Sequence, residues 1–186
     1  MSESVTLLVI DVQKSFTQRS FWNEDGIAQF RENLLRLING SVARSVLPVA
    51  IYHVDEQDSQ SPFHLESGLV EPLEWLDYKP VATFYKQVHN AFTDTGLDSW
   101  LRRNGVTRVI VSGMRTEQCC ETTARVASDL GYKVDFISEA TLTFAMTHAI
   151  SGRTYTPAEI RERTELVLAG RFAEIRSVDS MLESLA

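Results

Sequence analysis

Short apolar runs alternate with amphipathic segments along this chain, and the alternation limits the folds that it can adopt. The first run, VTLLVI at residues 5–10, is rich in β-branched residues and ends at Asp11. A continuous apolar run of this length is typical of a strand that is buried on both faces of a parallel sheet. It is followed by apolar residues at helical spacing from Ile27 to Val42 and by a second buried run at 47–53. This order predicts a βαβ unit.

The same pattern continues towards the carboxyl end of the chain. Further strands are predicted at 81–86, 107–113, 133–137 and 172–178. A helix is predicted at 97–105, and a second runs from a cap at Thr116 to Leu130, with Gly131 as its stop. A third helix is predicted to begin at a capping box formed by Thr156 and Glu159, with Pro157 in its first turn. The sequence therefore predicts a three-layer α/β/α fold with a mostly parallel, Rossmann-like sheet of about six strands.

Composition and charge exclude several classes of protein. No linker, charge block or repeat divides the 186 residues, so we expect a single domain over 1–186. The net charge of −7 comes without a basic stripe, which argues against nucleic acid as a partner. No apolar run approaches the roughly 20 residues that span a bilayer, and the two cysteines are adjacent, which disfavours a disulfide. We expect a protein of the cytoplasm with no membrane partner.

Three reactive residues follow directly on predicted strands or on the turns that leave them. They are Asp11, Lys86 and one of the adjacent cysteines Cys119 and Cys120. Because ligands of open parallel sheets bind beyond the carboxyl ends of the strands, we expect these side chains to converge at one rim. A helix N-terminus lowers the pKa of a cysteine, so the cysteine is expected to be a thiolate nucleophile, with Asp11 as base and Lys86 as the cation that holds both.

Each of these residues also has an ordinary structural interpretation. A free cysteine is often a small buried core residue, Asp11 could cap a turn, and Lys86 could be a surface lysine. Helical spacing does not decide which cysteine is buried, because Cys120 and Cys119 each continue a stripe of small or apolar residues. From the residues alone, both cysteines remain candidates.

Three separated segments carry a resemblance to a known family. They are LLVIDVQKSF at 7–16, KQVHNAFTDTGLDSWL at 86–101 and VSGMRTEQCCETTARVASDLGYKVDFISEAT at 111–141. Together they resemble the isochorismatase-like cysteine hydrolases. Matched position by position, the family's catalytic triad corresponds to Asp11, Lys86 and Cys119, and the resemblance leaves Cys120 at a position that more often holds a core residue.

The resemblance implies a mechanism. Asp11 would take the proton of Cys119, the thiolate would attack a carbonyl or nitrile-like carbon, and water would cleave the resulting thioester. The backbone N–H groups of Arg115 and Cys119 would hold the oxyanion, at a turn shaped by a cis peptide bond between Met114 and Arg115. Isochorismate itself is disfavoured as a substrate, and we expect cleavage of a C–N bond in a small amide, ureide or carbamoyl compound.

No metal or other cofactor is expected. Nicotinamidases of this family hold a divalent ion with an Asp-x-His pair and a further histidine. Here Asp55 is present, but Gln57 stands where the histidine of the pair is expected, and His64 is a lone candidate. The resemblance therefore favours a metal-free enzyme over a nicotinamidase.

The substrate pocket and the assembly are less constrained. Aromatic residues near the predicted rim are candidates for a small apolar pocket: Phe16, Phe21, Trp22, Tyr85 and Phe144. The long segment 141–160 resembles a lid, from which Tyr155 or Thr143 would reach the substrate. Family resemblance also implies a homo-oligomer, a dimer or a tetramer. Two alternatives stay open, namely a catalytically idle oligomeric protein that binds small molecules and a metal-dependent amidase of the nicotinamidase type.

Overall fold

The computed structural model describes residues 4–185 and places strands and helices in alternation. In chain order the elements are strand β1 (Ser4–Ile10), helix α1 (Ile27–Val42), strand β2 (Pro48–His53), strand β3 (Ala82–Lys86), helix α2 (Leu97–Arg103), strand β4 (Val106–Met114), helix α3 (Glu121–Asp129), strand β5 (Lys133–Leu142), strand β6 (Met146–Thr147), strand β7 (Thr154–Tyr155), helix α4 (Pro157–Leu168), strand β8 (Glu174–Ile175) and helix α5 (Val178–Ser184). Short 3₁₀ turns lie at Lys14–Gln18 and Leu65–Ser67, and a π-helical turn spans Thr116–Cys120.

Six strands form one parallel sheet in the order β3-β2-β1-β4-β5-β8. This architecture confirms the predicted fold class. Strands β6 and β7 form a separate antiparallel pair, which the sequence did not predict. The predicted strand at 172–178 is only Glu174–Ile175, because Ser177 caps the N-terminus of α5 and turns the chain into a helix that was also not predicted.

Strand β1 is buried on both faces of the sheet. Leu7 and Val9 belong to the core that packs against α1 and α5, whereas Leu8 and Ile10 belong to the core on the α2 and α3 side. Successive side chains of a strand point to opposite faces, so an unbroken apolar run serves both cores at once. The centre of the sheet is thus the most deeply buried part of the fold.

The helices begin and end largely where the sequence signals indicate. Thr156 and Glu159 form the predicted capping box of α4, with Pro157 in its first turn. The predicted cap at Thr116 is wrong, because Thr116 lies inside the π-helical turn that precedes α3 and its hydroxyl lies 2.7 Å from that of Thr141. None of the helices in the described part of the chain has both the length and the apolar character needed to cross a bilayer.

A single glycine allows β1 and β4 to meet at the carboxyl edge of the sheet. Gly113 pairs with Ile10 and has a φ of 117°, in the region that favours glycine. A Cβ atom at this position would lie 2.0 Å from the carbonyl oxygen of Ile10. The close approach brings the residue that follows β1, Asp11, beside the turn that follows β4.

We expect Gly113→Ala to destabilise the protein severely, because the added Cβ meets backbone that cannot move without separating two central strands. The free energy of unfolding measured with urea should fall by on the order of 4 kcal/mol or more. The control is Gly105→Ala. Gly105 also has a positive φ, but a Cβ atom added there meets no other atom within 4 Å. This variant should lose about 1–2 kcal/mol from the backbone conformation alone. Equal losses in the two variants would contradict this role of Gly113.

Candidate active site

Asp11 lies at the carboxyl end of β1 and is completely buried. Its backbone has a φ of 56°, and its N–H donates to the carbonyl oxygen of Ile51 over 2.8 Å. Aspartate is among the non-glycine residues that tolerate this left-handed conformation best. The chain therefore leaves β1 by a turn that holds the carboxylate inside the protein, at the rim where β1, β2 and β4 end.

Lys86 is the last residue of β3, and its side chain is as buried as that of Asp11. Its Nζ lies 2.8 Å from Asp11 Oδ2 and 3.4 Å from Cys119 Sγ, and it donates to the carbonyl oxygen of Val88 over 3.1 Å. A fourth contact joins Nζ to Nδ1 of His53 over 3.3 Å. The ammonium group is thus the centre of the polar cluster.

Cys119 and Cys120 lie in the π-helical turn after β4 and are both buried. Cys119 is 6% exposed and contacts Lys86, whereas Cys120 is 0% exposed and packs in the apolar core on the α2 and α3 side. The structure therefore brings Asp11, Lys86 and Cys119 together and leaves Cys120 among core residues.

The turn that carries Cys119 is fixed by backbone and hydroxyl hydrogen bonds. The peptide bond between Met114 and Arg115 is cis, at the position named from the sequence. The carbonyl oxygen of Arg115 accepts hydrogen bonds from the N–H groups of Gln118 and Cys120. Because the Thr141 hydroxyl donates to Ser138, the Thr116 hydroxyl is the donor in its 2.7 Å contact with Thr141.

Burial sets the protonation of the cluster. Burial raises the pKa of the Cys119 thiol well above its ordinary value, the Asp11 carboxylate adds to the rise, and Lys86 opposes it. Burial alone would lower the pKa of Lys86, but Asp11 and Cys119 outweigh it and the pKa of Lys86 is raised. The expected thiolate at a helix N-terminus is therefore wrong for the free protein, in which Cys119 is a neutral thiol beside an Asp11–Lys86 ion pair.

His53 and Gln13 belong to the site and were not identified from the sequence. The Gln13 side chain accepts from the backbone N–H of His53 over 2.8 Å and donates to its carbonyl oxygen over 3.0 Å. Burial, followed by the positive charge of Lys86, lowers the pKa of His53, so the imidazole is neutral near pH 7. His53 is the last residue of β2 and pairs with Lys86, the last residue of β3. The position of His53 at a strand end is therefore the sequence signal that could have identified it as a site residue.

The side chain of Arg115 is buried beside the π-helical turn that carries Cys119. Its guanidinium lies 2.9 Å from Glu117 Oε1 and 4.6 Å from the centre of the Phe21 ring. The other Glu117 oxygen accepts from the Thr143 hydroxyl over 2.6 Å. The sequence pointed only to the backbone N–H of Arg115, and its side chain proves to be part of a buried network that fixes the turn against the segment after β5.

The aromatic candidates for a pocket are distributed over different surroundings. Phe16 is buried and packs against Phe63, whose ring in turn contacts His53. Phe144 is buried between Phe21 and Trp22, next to the Arg115 side chain.

Two further candidates have other surroundings. Tyr85 is 48% exposed and packs against Tyr52. Because it precedes Lys86 in β3, its side chain points to the opposite face of the sheet, so we no longer expect it to contact a substrate at Lys86. Tyr155 is half-buried and lines an open cavity of about 700 Å³ that reaches Glu117 in the catalytic turn.

The residues considered for a metal site have local roles instead. Asp55 accepts a hydrogen bond from the N–H of Gln57, and Nδ1 of His64 accepts from the N–H of Glu66 at the start of a 3₁₀ turn. Within residues 4–185, no group of three or more His, Cys, Asp or Glu side chains is arranged so that it could hold a metal ion. A metal-free site remains a prediction.

The sequence of this chain is similar to a known family of proteins. The family model described as "Isochorismatase domain" matches residues 5–156. The isochorismatase family protein YrdC of Bacillus subtilis is 28% identical over 185 residues, which cover 98% of this chain and 96% of that protein. Nicotinamidase 3 of Arabidopsis thaliana is 33% identical over 120 residues, which cover 64% of this chain and 54% of that protein.

A crystal structure of an isochorismatase family protein from Chromobacterium violaceum matches with a TM-score of 0.88 at 24% identity. The match covers 98% of this chain and 93% of that chain. At this identity the likeness shows a shared fold.

We expect Asp11→Asn to accelerate alkylation of Cys119 by iodoacetamide at pH 7. The carboxylate raises the pKa of Cys119, so its removal leaves the thiolate as the anion that Lys86 pairs with. Lys86→Gln should have the opposite effect: alkylation at pH 7 should be slower, and the rise of its rate with pH should occur at higher pH. Rates are measured by mass spectrometry in a Cys120→Ala background, with Glu71→Gln as a control that removes an exposed carboxylate paired with Lys14. Slower alkylation of Asp11→Asn would contradict the electrostatics described above.

We also expect the purified protein to contain no stoichiometric zinc, iron or manganese, because Asp55 and His64 make local hydrogen bonds. Elemental analysis measures the metal content, and treatment with a chelator should leave alkylation of Cys119 unchanged. One ion per chain that disappears in His64→Ala would overturn this expectation.

Proposed function

This chain belongs to the isochorismatase family of hydrolases, and we propose that it is a cysteine hydrolase with an Asp11, Lys86 and Cys119 triad. The bond that it cleaves is a C–N bond of a small amide, ureide or carbamoyl compound. The observation that carries the proposal is the position of Lys86 Nζ, which contacts both the Asp11 carboxylate and Cys119 Sγ inside the protein. A buried ammonium shared by a carboxylate and a thiol is suited to proton transfer between them.

In the first half of the reaction, the Cys119 thiol gives its proton to Asp11 as sulfur attacks the carbonyl carbon. Lys86 stabilises the thiolate as it forms, because its ammonium already contacts Sγ. The negative charge then moves to the carbonyl oxygen, for which the backbone N–H groups of Arg115 and Cys119 are the proposed donors. Asp11 returns the proton to the leaving nitrogen, the C–N bond breaks, and an amine and a Cys119 thioester result.

In the second half, a water molecule takes the place of the amine. Asp11 accepts one proton from the water as its oxygen attacks the thioester carbon. The C–S bond then breaks, the acid leaves, and the proton on Asp11 returns to the Cys119 sulfur. The cycle consumes one water for each amide and restores the neutral thiol with the Asp11–Lys86 ion pair.

Two observations support an amide as the substrate. Nicotinamidase 3, with which this chain shares 33% identity over 120 residues, is by its name an amidase. An amide also requires a strong nucleophile, and Cys119 is placed to supply one. Nicotinamide itself is not favoured, because Gln57 stands where the metal-binding histidine of the resemblance is expected.

We propose that the enzyme acts as a homo-oligomer, a dimer or a tetramer, in the cytoplasm. Two apolar side chains are exposed to an unusual degree, Ile150 at 92% and Leu166 at 77%. Association with a second copy of the chain would cover these side chains. Both residues lie in the carboxyl-terminal part of the chain, in the connection between β6 and β7 and on α4.

A screen of small amides should identify the substrate and test the mechanism. In Cys119→Ala, hydrolysis of the amide that the wild type cleaves should fall by about 10³-fold or more, because the covalent route is lost. In Cys120→Ala, turnover should persist and stability should fall by about 1 kcal/mol, because Cys120 is a small, completely buried core side chain.

Covalent trapping of the acyl-enzyme is an independent test of the same proposal. Rapid acid quenching during turnover should leave an acyl group on Cys119, and mass spectrometry of the peptide should give its mass. Normal turnover in Cys119→Ala, or an acyl group on Cys120, would refute the assignment. A protein that hydrolyses no amide and traps no acyl group would instead support the idle binding protein.

A further inference from the structure

The ammonium of Lys86 has more hydrogen-bond acceptors than it has protons. Four acceptors surround Nζ, namely Asp11 Oδ2, the Val88 carbonyl oxygen, Cys119 Sγ and His53 Nδ1. An ammonium carries three N–H bonds and no lone pair. While Cys119 is a neutral thiol, its sulfur is the weakest of the four acceptors, so the three protons are directed to Asp11, Val88 and His53.

This arrangement determines where the proton of the neutral His53 imidazole lies. Lys86 can only donate, so its 3.3 Å contact with Nδ1 is attractive only if Nδ1 carries a lone pair. The proton of the neutral ring is then on Nε2. Lys86 therefore fixes the tautomer of His53, and with it the direction in which His53 can donate a hydrogen bond.

The Nε2–H group of His53 has no partner among residues 4–185, although the rest of the residue is tightly held. Gln13 holds the backbone on both sides, and Phe63 packs edge to face against the ring at 5.5 Å between centres. The side chain is half-buried and lies at the end of β2, at the rim of the sheet. A fixed donor without a partner beside a nucleophile is suited to bind a polar group of the substrate.

We propose that His53 Nε2–H binds a second oxygen of the substrate, a carbonyl or carboxylate oxygen distinct from that of the scissile amide. His53 Nδ1 and Cys119 Sγ contact the same ammonium, so the two oxygens of the substrate are separated by a few bonds. The substrate class is thus a small amide with a second carbonyl or a carboxylate group. This inference rests on the proposed amide hydrolysis at Cys119.

One cation, Arg19, contacts the same Phe63 ring that packs against His53, and it is relevant to the carboxylate form of such a substrate. The guanidinium of Arg19 lies 4.7 Å from the centre of the Phe63 ring and forms no ion pair within the described part of the chain. Asp55 is the carboxylate outside the triad whose charge acts on His53. The positive charge of Arg19 favours a carboxylate on the substrate, and the negative charge of Asp55 disfavours it. Both a carboxylate and a carbonyl are therefore tested as the group that carries the second oxygen.

The tautomer is measured directly in the free protein. Long-range proton–nitrogen NMR spectra distinguish a protonated Nε2 from a protonated Nδ1, and the His53 signals are assigned by their loss in His53→Asn. The chain contains four histidines, so the assignment is tractable. We expect a proton on Nε2 at pH 7. A proton on Nδ1 would overturn the proposal whatever the substrate is.

Binding is measured in Cys119→Ala with three probes, succinamide, succinamate and butyramide, of which the last lacks a second oxygen. Succinamide or succinamate should bind roughly five- to tenfold more tightly than butyramide, which is the effect of one net hydrogen bond. His53→Asn keeps an acceptor for Lys86 but loses the donor at Nε2, so it should abolish the preference. His53→Gln, whose amide nitrogen reaches the Nε2 position, should retain part of it.

The outcomes separate this proposal from the proposed function. Equal affinity for the three probes, or an unchanged preference in His53→Asn, would refute the role of His53 and leave the triad assignment intact. Tighter binding of succinamate than of succinamide would identify the second oxygen as a carboxylate, and the reverse order would identify it as a carbonyl. A loss of affinity in Arg19→Gln for succinamate alone would place Arg19 at the carboxylate. Failure to trap an acyl group on Cys119 would refute the hydrolase and not the tautomer of His53.

Discussion

The buried ion pair between Asp11 and Lys86 is the interaction on which the site depends. Both side chains are removed from water, which is costly for two charges, and each is stable there only because the other is present. Loss of one partner of such a pair typically costs about 3–5 kcal/mol. The surrounding structure keeps the two groups together, because Asp11 ends β1 and Lys86 ends β3, with β2 between them in the sheet.

The ion pair also determines the direction of proton transfer. Asp11 and burial disfavour a thiolate, so the proton rests on Cys119 in the free protein. In the proposed reaction, the negative charge moves from sulfur to the carbonyl oxygen when the carbonyl carbon approaches, and the buried thiolate is short-lived. This arrangement protects the cysteine from unwanted alkylation and oxidation, since the reactive form is the thiolate. In the same proposal, Lys86 remains charged throughout and redirects an N–H from His53 to sulfur.

Residues that touch neither sulfur nor carboxylate prepare the site for this transfer. Gly113 permits the close approach of β1 and β4, and Gln13 holds the backbone of His53. Thr116 anchors the catalytic turn to Thr141, and Glu117 connects Arg115 with the segment after β5. These contacts join elements that are distant in the chain, so a change at any of them can alter the geometry of the triad without removing a reactive group.

The sequence by itself determined the alternation of strands and helices, the class of fold and the position of Asp11 and Lys86 at strand ends. These follow from local periodicity and from the rule that parallel strands end at one rim. The choice of Cys119 over Cys120 needed a resemblance to known proteins, since helical spacing fitted both residues. Only the tertiary structure decided the protonation of Cys119, the membership of His53 in the site and the face on which Tyr85 lies. Protonation depends on burial and on charges brought together from β1, β3 and the turn after β4, and no local pattern records those distances.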